Sequence, residues 1–269
     1  MEPTTYDTPG EVRLEVRIPS GDVRVRTADT AQTTVHVTGE RDPGDVEVVF
    51  EPGVTGHHVL RIQQRRKNRA GWRSGRSLTV EVTAPERTTV RVEGGSTDLS
   101  VDGPVDAVWF ACGAGDATVG DVTGDFDAKV ASGDLRVGRV AGSATVHSAS
   151  GDIDLAAADG GLVVRTASGD IRVATAQGEL RITTLSGDVL LGHVASGKVN
   201  VQAVSGDVNV GVAAGTSVYL DLASVSGDTS SDLPVSDVPA DGAGPRLDIR
   251  AHTVSGDVRV RRAAHSDAA

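Results

Sequence analysis

Carboxylates recur along the chain at a nearly fixed interval, and each of them belongs to a Ser-Gly-Asp tripeptide. The interval is the same from Asp134 through Asp152 and Asp170 to Asp188, and it is one position longer before Asp207. A stack of such carboxylates could bind calcium, which takes about six to eight oxygen ligands. The glycine and the aspartate of the five most regular copies are Gly133 and Asp134, Gly151 and Asp152, Gly169 and Asp170, Gly187 and Asp188, and Gly206 and Asp207.

A turn-forming role explains these ten residues better than a metal site does. Glycine adopts positive φ at no steric cost, and aspartate side chains accept hydrogen bonds from nearby backbone N–H groups. The calcium-binding β-roll repeats its Gly-Gly-x-Gly-x-Asp pattern every nine residues, whereas here only one half of each repeat carries aspartate regularly. The other half includes Lys198, which would repel a cation. We therefore predict structural turns, with no bound metal and no cofactor.

A run of basic residues without any acidic residue is the second candidate for chemistry. Trp72 lies within it, and the run could hold an anionic polymer or a lipid headgroup surface. The alternative is a solvated loop between two strands, which is the usual outcome for an isolated run of charges. The speculative anion-binding residues are Arg61, Arg65, Arg66, Lys67, Arg69, Arg73 and Arg76.

No set of residues in the sequence marks a catalytic site. The seven histidines fall at unrelated positions of the repeat, and no nucleophile elbow, phosphate loop or His-Glu-x-x-His motif is present. Between Asp98 and Asp207 the repeats contain no insertion longer than one residue, so no cleft is predicted. The single cysteine, Cys112, excludes an internal disulfide. We predict no catalytic residues and a protein that is not an enzyme.

The residues around each tripeptide alternate between apolar and polar, which is typical of half-buried β-strands. In one repeat Ile153 and Leu155 form one such pair, and Leu162 and Val164 form the next. A fixed short period indicates one unit that is repeated and stacked. The sequence predicts an all-β protein, a parallel β-helix (β-solenoid) with about 18 residues per coil and β-strand caps at both ends. Consecutive repeats are expected to lie on one another, so that equivalent aliphatic residues form columns.

The regularity of the repeat divides the chain into three predicted regions. Residues 1–95 keep the alternation but lose the period, so they are predicted to form an N-terminal β-strand cap or small β-domain continuous with the solenoid. Residues 96–228 form the regular β-solenoid, and residues 229–269 form a C-terminal loop and capping strands. Solenoids need such ends because an open strand edge invites association with another chain.

The charge and the N-terminal sequence suggest a compartment and exclude some partners. A formal net charge of −11 argues against wrapping by nucleic acid. The first residues contain neither a basic nor an apolar signal region, and no apolar stretch is long enough to span a bilayer. We expect a cytoplasmic protein without a transmembrane segment, whose only membrane contact would be peripheral.

The repeat and its flanking segments resemble a known bacterial family. The run Thr166-Ala167-Ser168-Gly169-Asp170-Ile171-Arg172-Val173 resembles the β-strand-repeat domain of unknown function called "putative adhesin". The resemblance extends from Ser20-Gly21-Asp22 near the start to Ser255-Gly256-Asp257 near the end. It implies a β-solenoid without known catalytic residues and an adhesin-like role.

Three functional hypotheses follow. The main one is a non-enzymatic β-solenoid scaffold that interacts with an unknown protein or polymer partner, adhesin-like by family resemblance. The alternative is a peripheral binder of anionic surfaces or polymers through the basic segment 61–76. A further alternative is a carbohydrate-active β-helix.

Overall fold

The computed structural model describes residues 2–39, 46–53, 57–64, 77–233 and 244–263. These residues form 21 β-strands and no helix, which confirms the prediction of an all-β protein. In this part of the chain there is accordingly no helix long and apolar enough to cross a membrane. The chain consists of two compact units, Met1–Gly138 and Arg139–Ala269, and each is described separately.

The strands are numbered in chain order. The first eleven are β1 (Thr4–Asp7), β2 (Glu11–Ala28), β3 (Gln32–Gly39), β4 (Val46–Glu51), β5 (His57–Gln64), β6 (Leu78–Pro85), β7 (Thr88–Asp102), β8 (Ala107–Ala114), β9 (Ala117–Val119), β10 (Phe126–Ser132) and β11 (Leu135–Val140). The remaining ten are β12 (Ala144–Ser150), β13 (Ile153–Ala158), β14 (Leu162–Ser168), β15 (Ile171–Ser186), β16 (Val189–Ser205), β17 (Val208–Val212), β18 (Ser217–Ser226), β19 (Thr229–Ser231), β20 (Arg246–Ser255) and β21 (Val258–Arg262).

In the first unit, parallel pairing joins residues that are one repeat apart. Val90 of β7 pairs with Val108 of β8, which pairs in turn with Phe126 of β10. The strand β2 departs from this spacing, because its Val12 pairs with Thr88 of β7. On its other side β2 pairs in parallel with β5 and β6, and the antiparallel strands β4 and β3 cover these two.

In the second unit the stacking order differs from the chain order. Leu162 pairs with Leu180 and Leu180 with Val199, so that each of these steps advances the chain by one repeat. Val199 then pairs with Ile249 of β20. On its other side Ile249 pairs with Leu220 of β18. The last two strands, β20 and β21, therefore lie between β16–β17 and β18–β19.

The prediction that consecutive repeats lie on one another in chain order is thus wrong for the last two repeats. The composition of the strands gives a physical reason. Val258 and Val260 of β21 are buried, whereas Thr229 and Ser231 stand at the corresponding positions of β19. An interior position for β19 would bring polar side chains into the apolar core, at a cost in free energy. The more polar strand is therefore the outer one.

Columns of aliphatic side chains form the core of the second unit. One column contains Ile153, Ile171, Val189, Val208 and Val258, which pair in this order and are all fully buried. Burying such a side chain contributes about 1.5–3 kcal/mol to folding. The hydrophobic effect therefore acts along the whole stack rather than at one central cluster.

The observed stacking order predicts a ranking of two substitutions. Ile249→Ala should lower the free energy of unfolding by about 2–5 kcal/mol, because it leaves a cavity between two paired strands. Leu220→Ala should cost clearly less, because Leu220 lies on the outermost strand and is only half-buried. Urea unfolding of dilute protein measures both values, with the exposed Gln202→Ala as a control close to wild type. The reverse ranking would mean that β18, and not β20, is the interior strand.

Candidate functional site

The predicted aspartates form a ladder of hydrogen bonds between stacked turns. In the first unit the backbone N–H of Asp116 donates to Oδ1 of Asp98 at 2.9 Å, and that of Asp134 donates to Oδ1 of Asp116 at 2.8 Å. One carboxylate oxygen of each acceptor is therefore engaged by the backbone of the next turn. We call these bonds and their counterparts in the second unit the aspartate ladder.

In the second unit the same kind of hydrogen bond joins five pairs of aspartates, with N···O distances of 2.8–2.9 Å. The bond follows the stacking order rather than the chain order, because Asp257 donates to Asp207 and Asp228 donates to Asp257. In spatial order the acceptors are Asp152, Asp170, Asp188, Asp207 and Asp257.

A glycine precedes every aspartate of the ladder except Asp98, and it allows the turns to approach closely. A Cβ atom on Gly169 would overlap the carbonyl oxygen of Gly151, the glycine of the turn below. The φ angles of these glycines also lie in the region that other residues rarely adopt. The angles are 145° at Gly133, 117° at Gly151, 116° at Gly169, 126° at Gly187 and 134° at Gly206.

Arginine side chains hold the second carboxylate oxygen at several of these turns. Nη2 of Arg172 lies 2.7 Å from Oδ2 of Asp170, and Nη1 of Arg172 lies 3.8 Å from Oδ2 of Asp152. Arg259 pairs in the same way with Asp257 and Asp207. Exposed pairs of this kind contribute about 0–1 kcal/mol each, but they place positive charge where a bound cation would have to lie.

The described residues hold no group of three or more His, Cys, Asp or Glu side chains that could bind a metal ion. Both oxygens of several turn aspartates already have protein partners, and the partners of Oδ2 are cationic. This arrangement ties one turn to the next. It leaves few lone pairs for a calcium ion, which needs about six to eight oxygens.

The side chain of Cys112 donates a hydrogen bond to the carbonyl oxygen two residues later, as the side chain of Thr166 does in the second unit. Its Sγ donates to the carbonyl oxygen of Ala114 at 2.8 Å, and Oγ1 of Thr166 donates to the carbonyl oxygen of Ser168 at 3.0 Å. Burial raises the pKa of the Cys112 thiol, because the thiolate would lose its hydration. Cys112 therefore stabilises the backbone next to a turn of the stack. The sequence alone did not indicate this role.

Two substitutions of Cys112 test this role. Cys112→Ser should change the free energy of unfolding by no more than about 1 kcal/mol, because the hydroxyl reproduces both the donor and the acceptor. Cys112→Val has a similar shape but loses the acceptor for the backbone N–H of Thr97, which lies 3.3 Å from Sγ. We expect it to cost about 1–3 kcal/mol. Equal losses in chemical unfolding would show that the hydrogen bonds of Cys112 do not matter.

Of the predicted anion-binding residues, the described part of the chain contains only Arg61. This residue lies in β5, where its Nε is 2.9 Å from Oε2 of Glu15 and its Nη1 is 2.6 Å from Oε1 of Glu51. The hydrogen bond to Glu15, together with the charge of Glu51, raises the pKa of Arg61. Its charge is therefore compensated within the protein. Arg65, Arg66, Lys67, Arg69, Arg73 and Arg76 lie outside the described residues.

A half-exposed tryptophan lies on the outer face of the first unit. Trp109 of β8 is covered by the guanidinium of Arg91, whose Cζ lies 3.9 Å from the ring centroid. A sugar ring that stacks on this face of Trp109 would first have to displace Arg91 and lose the cation–π contact.

The second unit presents an exposed column of large aliphatic side chains at the residue before the last four Ser-Gly-Asp copies. We call it the apolar ladder. Its members lie side by side on neighbouring strands, since the residues on both sides of each one are paired. In spatial order they are Leu185, Val204, Val254 and Val225, with 55%, 47%, 50% and 83% of the residue surface exposed.

The sequence contained a signal for the apolar ladder that the sequence analysis missed. The residue before Ser-Gly-Asp is alanine in the three preceding repeats, at Ala131, Ala149 and Ala167, and is leucine or valine in the last four. A single exposed aliphatic residue is ordinary, whereas a large contiguous apolar patch on a protein surface is typical of an interaction site. The apolar ladder is therefore the strongest candidate functional site among the described residues.

Comparison with known proteins identifies a family and a set of distant structures. The sequence model of the Toastrack DUF4097 family matches residues 12–261 of the chain. No curated protein matches it. A "putative adhesin" from Bacteroides fragilis has 11% identity and a TM-score of 0.44, and the match covers 97% of this chain and 95% of that one.

Two proteins from Parabacteroides distasonis are similar to a comparable degree. One is a "putative adhesin" with 12% identity and a TM-score of 0.40, with 96% of this chain and 95% of that one covered. The other is a "putative lipid binding protein" with 15% identity and a TM-score of 0.41, with 96% of each chain covered. TM-scores this low carry no argument about function.

Proposed function

The chain belongs to the Toastrack DUF4097 family, and we propose that it is a non-enzymatic scaffold that binds a protein partner in an adhesin-like manner. In this proposal the scaffold is a β-solenoid of stacked units with about 18 residues per coil and β-strand caps at both ends. The partner binds the outer surface of the stacked strands. The observation that carries the proposal is the apolar ladder, a column of four exposed aliphatic side chains on neighbouring strands.

The position of the apolar ladder supports binding of a partner rather than a role in folding. Its side chains point away from the core, and the inward positions next to them, such as Thr184 and Ala203, are buried. Exposed aliphatic side chains contribute nothing to the core, and they lower the solubility of the chain. Removing four neighbouring ones from water by a partner would be favourable, by about 25 cal/mol for each Å² of apolar surface.

The absence of enzymatic activity is part of the proposal and rests on the use of the carboxylates. The aspartates of the repeat are the most numerous group that could act as an acid, a base or a metal ligand. Their Oδ1 atoms accept backbone N–H groups of neighbouring turns, and arginines pair with several of their Oδ2 atoms. A carboxylate that holds the backbone is poorly suited to transfer protons or bind substrate.

Affinity purification with three baits tests the main proposal. The baits are the wild-type chain, a Val204→Asp/Val254→Asp variant in which the apolar ladder is interrupted, and the control Ala149→Asp. This control places one of the same carboxylates at the equivalent exposed position of a repeat outside the ladder. We expect a protein that is enriched by wild type and control and lost with the double variant. A calorimetric titration with that purified protein then measures direct binding. Equal recovery by all three baits would contradict the proposal.

A flotation assay with vesicles tests the anionic-surface alternative. Under the main proposal, the chain should not bind phosphatidylserine vesicles at physiological salt, because Arg61 is paired with Glu15 and Glu51 and the chain carries a net charge of −11. Salt-sensitive flotation that disappears in an Arg65→Ser/Arg66→Ser/Lys67→Ser variant would favour the alternative instead. A glycan array tests the carbohydrate-active hypothesis. Binding of a glycan by the wild type that is lost in Trp109→Ala would favour that hypothesis.

A further inference from the structure

Within the described part of the second unit, β18 is the outermost strand at one end and has an open edge. Among the described residues β18 pairs with β20 on one side and with no strand on the other. Its inward side chains, Val218, Leu220 and Leu222, are only half-buried. The residues beneath them on β20 are buried almost completely. The apolar interior is therefore partly open to solvent at this end of the unit.

The sequence of β18 lacks the features that usually protect an edge strand. Natural edges carry lysine, proline, bulges or inward-pointing charges. The ten residues of β18 contain no proline and no basic residue, and Asp221 is the only charged residue. In the first unit, by contrast, the antiparallel strands β4 and β3 cover β5 and β6. An edge of this length and composition is suited to pairing with another strand.

We propose that β18 pairs with β18 of a second copy of this chain, antiparallel and about a two-fold axis at Leu222. In this register Tyr219 lies opposite the partner's Val225. These two are the most exposed large apolar residues of the structure described here, at 64% and 83%. Asp221 lies opposite the partner's Ala223. The two copies of Leu222 meet on the axis, and the open interior of each copy covers that of the other.

The neighbouring registers are less favourable for physical reasons. An axis at Asp221 would place two carboxylates directly opposite each other, which is destabilising in an antiparallel pair. An axis between two residues would align inward side chains with outward ones, so that the two interiors would face opposite directions. An axis at Leu220 would leave Val225 beyond the end of the partner's strand. Only the register at Leu222 pairs both exposed apolar residues and separates the charges.

The pairing is isologous, because each copy contributes the same strand, and it therefore closes as a dimer. The backbone groups at the free edge of β18 would form an antiparallel hydrogen-bond ladder with the second copy, at a strand spacing of about 4.8 Å. The proposal shares Val225 with the apolar ladder, but it does not depend on the function proposed above. The affinity purification uses Val204 and Val254, which lie outside β18.

Disulfide trapping in mixed samples tests the register directly. Two chains are prepared in a Cys112→Ser background, one with Tyr219→Cys and one with Val225→Cys, carrying tags of different size. After mild oxidation the mixture should yield a disulfide-linked heterodimer. Neither chain alone should cross-link. In this register residue 219 of one copy is far from residue 219 of the other, and the same holds for residue 225. Cross-linking of either chain alone, or none in the mixture, would overturn the proposal.

Analytical ultracentrifugation of the full chain tests the dimer without any cross-link. The wild type should show a concentration-dependent equilibrium between monomer and dimer. Leu222→Lys should weaken the association at least tenfold, and Val204→Lys, a matched change in the apolar ladder but outside β18, should leave it unchanged. If Leu222→Lys does not fold, Tyr219→Lys changes an exposed side chain of the same strand and should also weaken the dimer. A wild type that stays monomeric, or that forms open-ended polymers, contradicts the proposal.

Discussion

The close approach of one turn to the next is the constraint on which the stack depends. At Gly169 and Gly187 a side chain would overlap the carbonyl oxygen of the glycine in the neighbouring turn. The hydrogen bond from one aspartate to the next is only 2.8–2.9 Å long, so a displacement of the turns would break it. At these turns glycine permits the contact and aspartate holds it.

This constraint separates the positions that support the structure from those that are free to bind. The turn aspartates and the inward aliphatic residues are committed to contacts between strands. The outward residue before each tripeptide has no such commitment, and it changes from Ala149 and Ala167 to Leu185 and Val204 along the second unit. A surface can therefore be altered at that position without cost to the stack. A repetitive fold can therefore vary its surface locally while its core stays the same.

The period of the sequence predicted which residues are equivalent but not which of them are neighbours. Ile153 and Ile171 are both equivalent and paired, because they lie one repeat apart on successive turns of the stack. Asp207 and Asp257 are equivalent as well, yet their contact spans 50 residues, and no feature of the period encodes that order. The compensation of Arg61 by Glu15 and Glu51 was equally hidden, since it depends on strand pairing between distant segments.

Because β20 lies between β16 and β18, the strand with the open edge is β18 and not the last strand of the chain. Chain termini tend to fray because they are held on one side only. The outermost described strand is an internal segment, preceded by β17 and followed by β19, and both of these pair with β21 within the unit. The edge of β18 is therefore anchored by the chain in both directions. An anchored edge loses less conformational entropy when another strand pairs with it, and this favours recognition at β18 over recognition at a free end.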